Sequence, residues 1–207
     1  MRKNYSGTQY ATMILTGRGQ VTASPDTANI NLGIQTTGDN LEAIQSANAQ
    51  KSQSVLQALQ QIGITDIKTI QYSIDKVFDF ENGNRIDRGY SVRNILEIKT
   101  RNKDQVGYII DTAVNNGANI VEFVSFEVSD REFYYQQALN LAIEDAIQKS
   151  ESIAANLGTQ IKPIPIRIVE NSTLPIQPRQ FQQELASTPI IPGDIKIEAT
   201  VTVEFLY

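Results

Sequence analysis

The chain has no cysteine and no histidine among its 207 residues. Without cysteine there can be no disulfide, no thiolate nucleophile and no Cys-ligated zinc or iron–sulfur centre. Without histidine the commonest general base at neutral pH and the commonest transition-metal ligand are both missing. Serine triads of the usual kind and His-rich metal sites therefore cannot be built. Long apolar runs are also lacking: no stretch approaches the ~20 residues that span a bilayer, so no integral membrane segment is expected. Ala11–Leu15 is too short for the apolar core of a signal peptide. Read as it stands, the chain is expected in the cytoplasm, and in the periplasm or outside the cell only if a targeting segment was removed. Basic charge is scarce too. The net charge is -5, and Lys and Arg never cluster beyond a pair, so the phosphate-neutralising stripe of a nucleic-acid binder is absent.

What is present suits a folded chain. Apolar residues make up 41% and charged residues 20%, and a chain of this length can bury roughly 70% of its unfolded surface. Strands are expected at Thr12–Ala23 and Ala28–Thr37, paired through a turn at Ser24-Pro25-Asp26-Thr27 in which Asp26 bonds the backbone ahead. Ala28, Ile30, Leu32 and Ile34 alternate with polar residues, which places one face of that strand in a core. Asp39 with Glu42 reads as a capping box opening a long amphipathic helix that Gly63 ends. Strands Ile67–Phe80 and Ile86–Lys99 follow, with Asn82-Gly83 as a hairpin turn. A short helix from Asn102 or Lys103 to Asn116 connects to strand Ile120–Val128. Ser129 with Glu132 reads as a second capping box, opening a helix over Asp130–Leu157 that Gly158 ends. Strands Pro163–Glu170 and Asp194–Leu206 close the chain.

These elements predict an α+β fold: two β-α-β-β units joined by a short helix, with mainly antiparallel sheets packed against long amphipathic helices. The pseudo-repeat halves are 12–99 and 120–206 of a single domain spanning 1–207. Where the first half turns tightly at Asn82-Gly83, the second carries a proline-rich insertion over 171–193. It is either a surface loop or an arm that contacts another subunit through Pro175, Pro178, Phe181, Pro189 and Pro192.

Few residues carry candidate chemistry. Gly17-Arg18-Gly19 lacks the third glycine and the following helix of a phosphate loop, so a bulge or a close backbone approach explains it better. Asp75, Asp79, Glu81, Asp87, Glu97, Glu127 and Glu132 have no spacing that selects a catalytic or metal-binding pair, and a solvated face accounts for them. Asn48 lies on the apolar stripe of the first long helix. Asn94 lies on the row Tyr90, Val92, Asn94, Leu96 and Ile98 of a strand. Buried asparagines must find partners or cost about 1–3 kcal/mol each. Asn48, Tyr90 and Asn94 therefore either tie helix to sheet or line a small-molecule pocket between them. No catalytic residue, metal ligand or cofactor site is assigned.

Several motifs in order resemble one family. They are Gly17-Arg18-Gly19 with Val21 and Pro25-Asp26, Asn48, Gly63-Ile64 before Asp66-Ile67, and Tyr90-Ser91-Val92-Arg93-Asn94. Ile109-Ile110-Asp111 with Gly117-Ala118-Asn119, Ala154-Leu157-Gly158 and Ile191-Pro192-Gly193-Asp194-Ile195 continue the series. Together, over Gly17 to Phe205, they look like the SIMPL domain (DUF541). The resemblance implies kinship with bacterial 26-kDa periplasmic immunogenic and oxidative-stress-defence proteins, some of which form large ring- or channel-like oligomers. It implies no agreed catalytic residues. A non-enzymatic homo-oligomer tied to envelope or stress physiology is the resulting expectation, with a small-molecule binding domain as the alternative.

Overall fold

The computed structural model describes residues 11–162, 164–171 and 192–207. Strands β1 (Thr12–Ala23), β2 (Thr27–Gly38), β3 (Ile67–Glu81), β4 (Asn84–Thr100), β5 (Ile120–Glu127), β6 (Arg167–Glu170) and β7 (Ile195–Leu206) accompany helices α1 (Leu41–Gln61), α2 (Val106–Asn115) and α3 (Arg131–Leu157). Every strand pairing is antiparallel, and the class is α+β. Pro175, Pro178, Phe181 and Pro189 of the expected arm lie outside the described residues, as does Pro163.

One compact unit takes in residues 25–129 and is built on a four-stranded sheet in the order β3-β4-β2-β5. Ala28, Ile30, Leu32 and Ile34 of β2 meet Leu96 and Ile98 of β4, Val55 and Leu59 of α1, and Val106, Ile109 and Ala113 of α2 in one core. Ile30, Leu32 and Ile34 are fully buried, each stabilising the fold by about 1.5–3 kcal/mol. Asn82 and Gly83 both take positive φ, at 51° and 82°, the backbone of a tight hairpin turn whose twist matches that of its strands.

The other unit joins β1, α3, β6 and β7 through a three-stranded sheet in the order β1-β7-β6. Ile197, Ala199, Val201, Val203 and Phe205 of β7 are all buried, the period of two expected of a strand with one covered face. On α3 the buried positions are Tyr135, Ala138, Ala142, Ala146, Ser150 and Ala154. This narrow small-residue stripe lets the helix axis come close to the sheet. It meets Gly17 and Gly19 of β1, where an added Cβ would stand 1.9 Å from the Ala142 carbonyl oxygen and 2.0 Å from that of Ala138. Close backbone approach, not a bulge, is thus the reason for the two glycines, since the β1–β7 register runs unbroken from Thr12↔Leu206 to Ala23↔Ile195.

The expected pairing of β1 with β2 does not occur. β1 pairs with β7, while β2 lies between β4 and β5. As a result both sequence halves, 12–99 and 120–206, contribute strands to both sheets. Alternation along a strand specifies which face is buried, not which neighbour it takes. The link at 24–26 is no local turn, because Asp26 reaches residue 129: its Oδ1 accepts from the Ser129 N–H at 2.8 Å and its Oδ2 from the Ser129 hydroxyl at 2.6 Å.

Both helix starts move by one residue from the expected capping boxes. Asn40, not Asp39, caps α1, its Oδ1 accepting from the Ala43 N–H at 3.0 Å. Asp130, not Ser129, caps α3, accepting from the Phe133 N–H at 3.1 Å. Ser129 instead donates its N–H and hydroxyl to Asp26. The expected connector helix divides into a 3-10 turn at Lys103–Gln105 and α2 proper.

Candidate functional site

The sequence-derived candidates Asn48 and Asn94 converge between α1 and the four-stranded sheet. The buried positions of α1 are Ile44, Asn48, Ser52, Val55 and Leu59, spaced by three and four so that they share one helix face. Two of the five are polar and sit together at mid-helix. Asn48 is 1% exposed. Its Nδ2 donates to the Ile34 carbonyl of β2 and to the Val92 carbonyl of β4, both at 3.1 Å. Its Oδ1 accepts from the Ser52 hydroxyl at 3.4 Å, and that hydroxyl in turn accepts from Asn94 Nδ2 at 3.0 Å. Nearer the helix start the Thr36 hydroxyl donates to the Ile44 carbonyl at 2.9 Å, and Gln45 Nε2 approaches the Tyr72 hydroxyl at 3.4 Å.

The arrangement is a polar seam that ties α1 to three neighbouring strands. Ser52 was not singled out from the sequence, although the stripe 44, 48, 52, 55, 59 passes through it. Tyr90 lies on the same strand row but apart from the seam. It stands opposite Lys76, whose Nζ sits 5.2 Å from the Tyr90 ring centre while pairing with Asp87 at 2.9 Å. Asn94 Oδ1 is buried without a hydrogen-bond partner. Chemically the seam offers amides and hydroxyls, and none of its named side chains is a general base near neutral pH that could activate the Ser52 hydroxyl.

The carboxylates disperse. Asp87 pairs with Lys76, Asp79 with Arg88 and Glu97 with Lys68, all at 2.7–3.1 Å and with substantial exposure. Among the described residues no three acidic side chains gather where they could hold a metal ion. A separate open groove of about 240 Å³ lies on the three-stranded sheet, lined by Ile14, Arg167, Val169, Asn171, Thr202 and Glu204. Asn171 Nδ2 already donates to the Thr202 hydroxyl there at 2.6 Å.

A profile for the SIMPL family, described as a protein of unknown function (DUF541), matches residues 13–205. The chain belongs to the SIMPL family. Among SIMPL relatives, the 26 kDa periplasmic immunogenic protein of Brucella melitensis is 29% identical over 223 aligned positions, covering 99% of this chain and 88% of the relative. The protein of that name in Brucella abortus matches equally. The uncharacterised protein YggE of Escherichia coli is 25% identical over 154 positions, 73% of this chain and 63% of the relative. Among the described residues no helix of this SIMPL chain is long and apolar enough to cross a membrane.

Three carboxylates outside the seam, Asp26, Asp87 and Asp145, are held below their usual range, Asp87 chiefly by its hydrogen bond from Lys76. Hydrogen bonds, led by the Ser129 hydroxyl, hold the Asp26 carboxyl below its usual range, against a smaller opposing effect of burial. At Asp145 the leading cause is the hydrogen bond from Lys149, followed by the Arg18 N–H. A carboxyl whose folded value is depressed stabilises the fold at pH above its unfolded value, and that stability disappears as pH falls through the folded value. Acid unfolding is therefore expected to steepen below about pH 4. Circular dichroism against pH should show a shallower loss in Asp26→Asn and Asp145→Asn than in the unsubstituted protein. Identical curves would remove both groups from the acid response.

Proposed function

We propose that this protein is a non-enzymatic, self-assembling member of the SIMPL family that works in the bacterial envelope. Subunit contacts are made by the β3–β4 ribbon and by the proline-rich segment that includes Pro175, Pro178, Phe181, Pro189 and Pro192. The observation that carries the reading is β3. This 15-residue strand lies at a sheet edge and exposes Ile70, Tyr72, Ile74 and Phe80, the last at 75%. Its pairing with β4 continues to Glu81↔Asn84, past Tyr90, where β2 ends. A two-stranded ribbon that exposes an aromatic side chain, here Phe80, is stable mainly when something packs against it.

The periplasmic name of the Brucella relatives supports an envelope address and not the cytoplasmic one expected from the sequence. A role in stress physiology belongs to the same reading. In the small-molecule alternative, Asn48 would offer amide donors to a ligand, but both are already engaged by sheet carbonyls.

Light scattering coupled to size exclusion tests assembly directly. The expected mass is a multiple of 23.0 kDa, reduced in Ile74→Lys with Phe80→Asp and reduced again in Phe181→Ala. A monomeric mass for the unsubstituted protein at every concentration overturns the proposal.

A further inference from the structure

A sheet edge presents unpaired N–H and C=O groups, and folded proteins blunt such edges with short strands, irregular register, charges or a covering element. Three of the edge strands here follow that rule. β6 has four residues. β3 slips register between Thr69 and Gln71 and again between Lys76 and Phe78, and carries Lys68, Asp75, Lys76 and Asp79. β5 has eight residues, a register shift where it meets Asn31 and Leu32, and two glutamates, Glu122 and Glu127. β1 breaks the pattern: it has 12 residues, an unbroken register, no proline and a single charge at Arg18. Among the described residues no strand pairs with its second side.

That second side is nevertheless occupied at its centre. Asp145 Oδ2 of α3 accepts from the backbone N–H of Arg18 at 2.8 Å, and Lys149 Nζ donates to the backbone carbonyl of Thr16 at 3.0 Å. The two side chains, one helical turn apart, also pair with each other at 2.6 Å. Alternation in an antiparallel ladder turns the N–H and C=O of every second residue away from the partner strand. Thr16 and Arg18 thus face outward, as do Ile14 and Gln20. The glycines explain the reach: with Gly17 and Gly19 lying directly under Ala138, Ala142 and Ala146, α3 is close enough for its flank to curl over the strand's rim.

We propose that the Asp145–Lys149 pair is an edge guard, which occupies the outward backbone of β1 and prevents it from pairing with β1 of a second copy of this chain. The strand is suited to that partner. About a two-fold axis through Gly17, Met13 faces Val21, Leu15 faces Gly19 and Thr16 faces Arg18, so no like charges oppose each other and the outward-facing residues meet outward-facing ones. The guard therefore separates wanted from unwanted self-association, and it holds whether or not the β3–β4 ribbon makes the native contact.

The test reads mass relative to the unsubstituted protein, whatever that mass is. Asp145→Ala with Lys149→Met should give species at least ~2-fold heavier that grow with concentration, as expected for strand addition. Gln20→Pro added to that pair should restore the original mass, because proline removes an outward N–H while leaving the β7 ladder intact. Asp145→Asn, which keeps an acceptor for the Arg18 N–H, should retain the original mass. Amide exchange at Arg18 should be ~10-fold faster in Asp145→Ala alone, which gives a local readout in a milder variant. Unchanged mass in the unguarded protein, growth that Gln20→Pro does not reverse, or unchanged Arg18 exchange would each overturn the proposal.

Discussion

Replacing Gly17 with alanine is expected to destabilise the protein by about 3 kcal/mol or more, seen as a large fall in the denaturation midpoint by circular dichroism. An added Cβ would stand 1.9 Å from the Ala142 carbonyl oxygen and 2.9 Å from the Ala146 Cβ. Overpacking usually costs about 1–3 kcal/mol when side chains can shift. Here the obstacle is helix backbone, so relief requires lifting α3 off the sheet and opening the stripe of alanines that packs there. Gly107 supplies the control. It lies in α2 with open space around its missing Cβ, so Gly107→Ala should be neutral or stabilise by up to ~1 kcal/mol through helix propensity. Comparable losses at both positions would mean that the close approach of β1 to α3 is not what fixes Gly17.

Asn48→Asp is the second large expected effect, and it separates hydrogen bonding from packing because the two side chains have nearly the same shape. The amide donates to two carbonyl oxygens at a site 1% exposed. A carboxylate there would face both oxygens with no donor of its own, and burying a charge without a partner costs several kcal/mol. The expected outcome is loss of about 3–5 kcal/mol of stability at neutral pH. Part of it should return on acidification, since burial raises the carboxyl's pKa and the neutral form can donate one hydrogen bond. Thermal unfolding of Asn48→Asp at pH values from about 4 to 8 checks this. A pH-independent, near-normal melting temperature would show that the seam contributes little. Asn48→Ala should lie between, because it removes the donors without introducing charge.

Much of the local architecture was legible from the residues. The Asn82-Gly83 turn, the alternation along β7, and Gly158 past the end of α3 are each specified within a few positions by backbone sterics or by a single buried face, whereas β2, read as having one wet face, buries Thr27 and Asn31 on its other side as well. The candidate site was half legible. Asn48 stood out because an amide on an apolar stripe demands partners, yet its partners are main-chain carbonyls, which look alike at every position. Ser52 escaped notice because serine on a helix is ordinarily unremarkable. Tyr90 shared a strand row with Asn94 but belongs to the Lys76–Asp87 cluster instead.

Helix caps show the same division. Asp39 and Asn40 are both competent caps, as are Ser129 and Asp130, and local chemistry does not choose between them. At α3 Asp26, far away in the chain, holds Ser129 by accepting from its N–H and its hydroxyl, and Asp130 takes the cap. By itself, then, the sequence determined the element types, the buried faces, the family and the absence of cysteine and histidine chemistry, because these depend on composition and short-range periodicity. Only the tertiary structure decided that β1 pairs with β7, that Asn48 bridges two strands and that Asp145 and Lys149 cover the rim of β1. Those contacts join residues distant in sequence, and a hydrogen-bonding group carries no local mark of which distant partner the folded chain will bring to it.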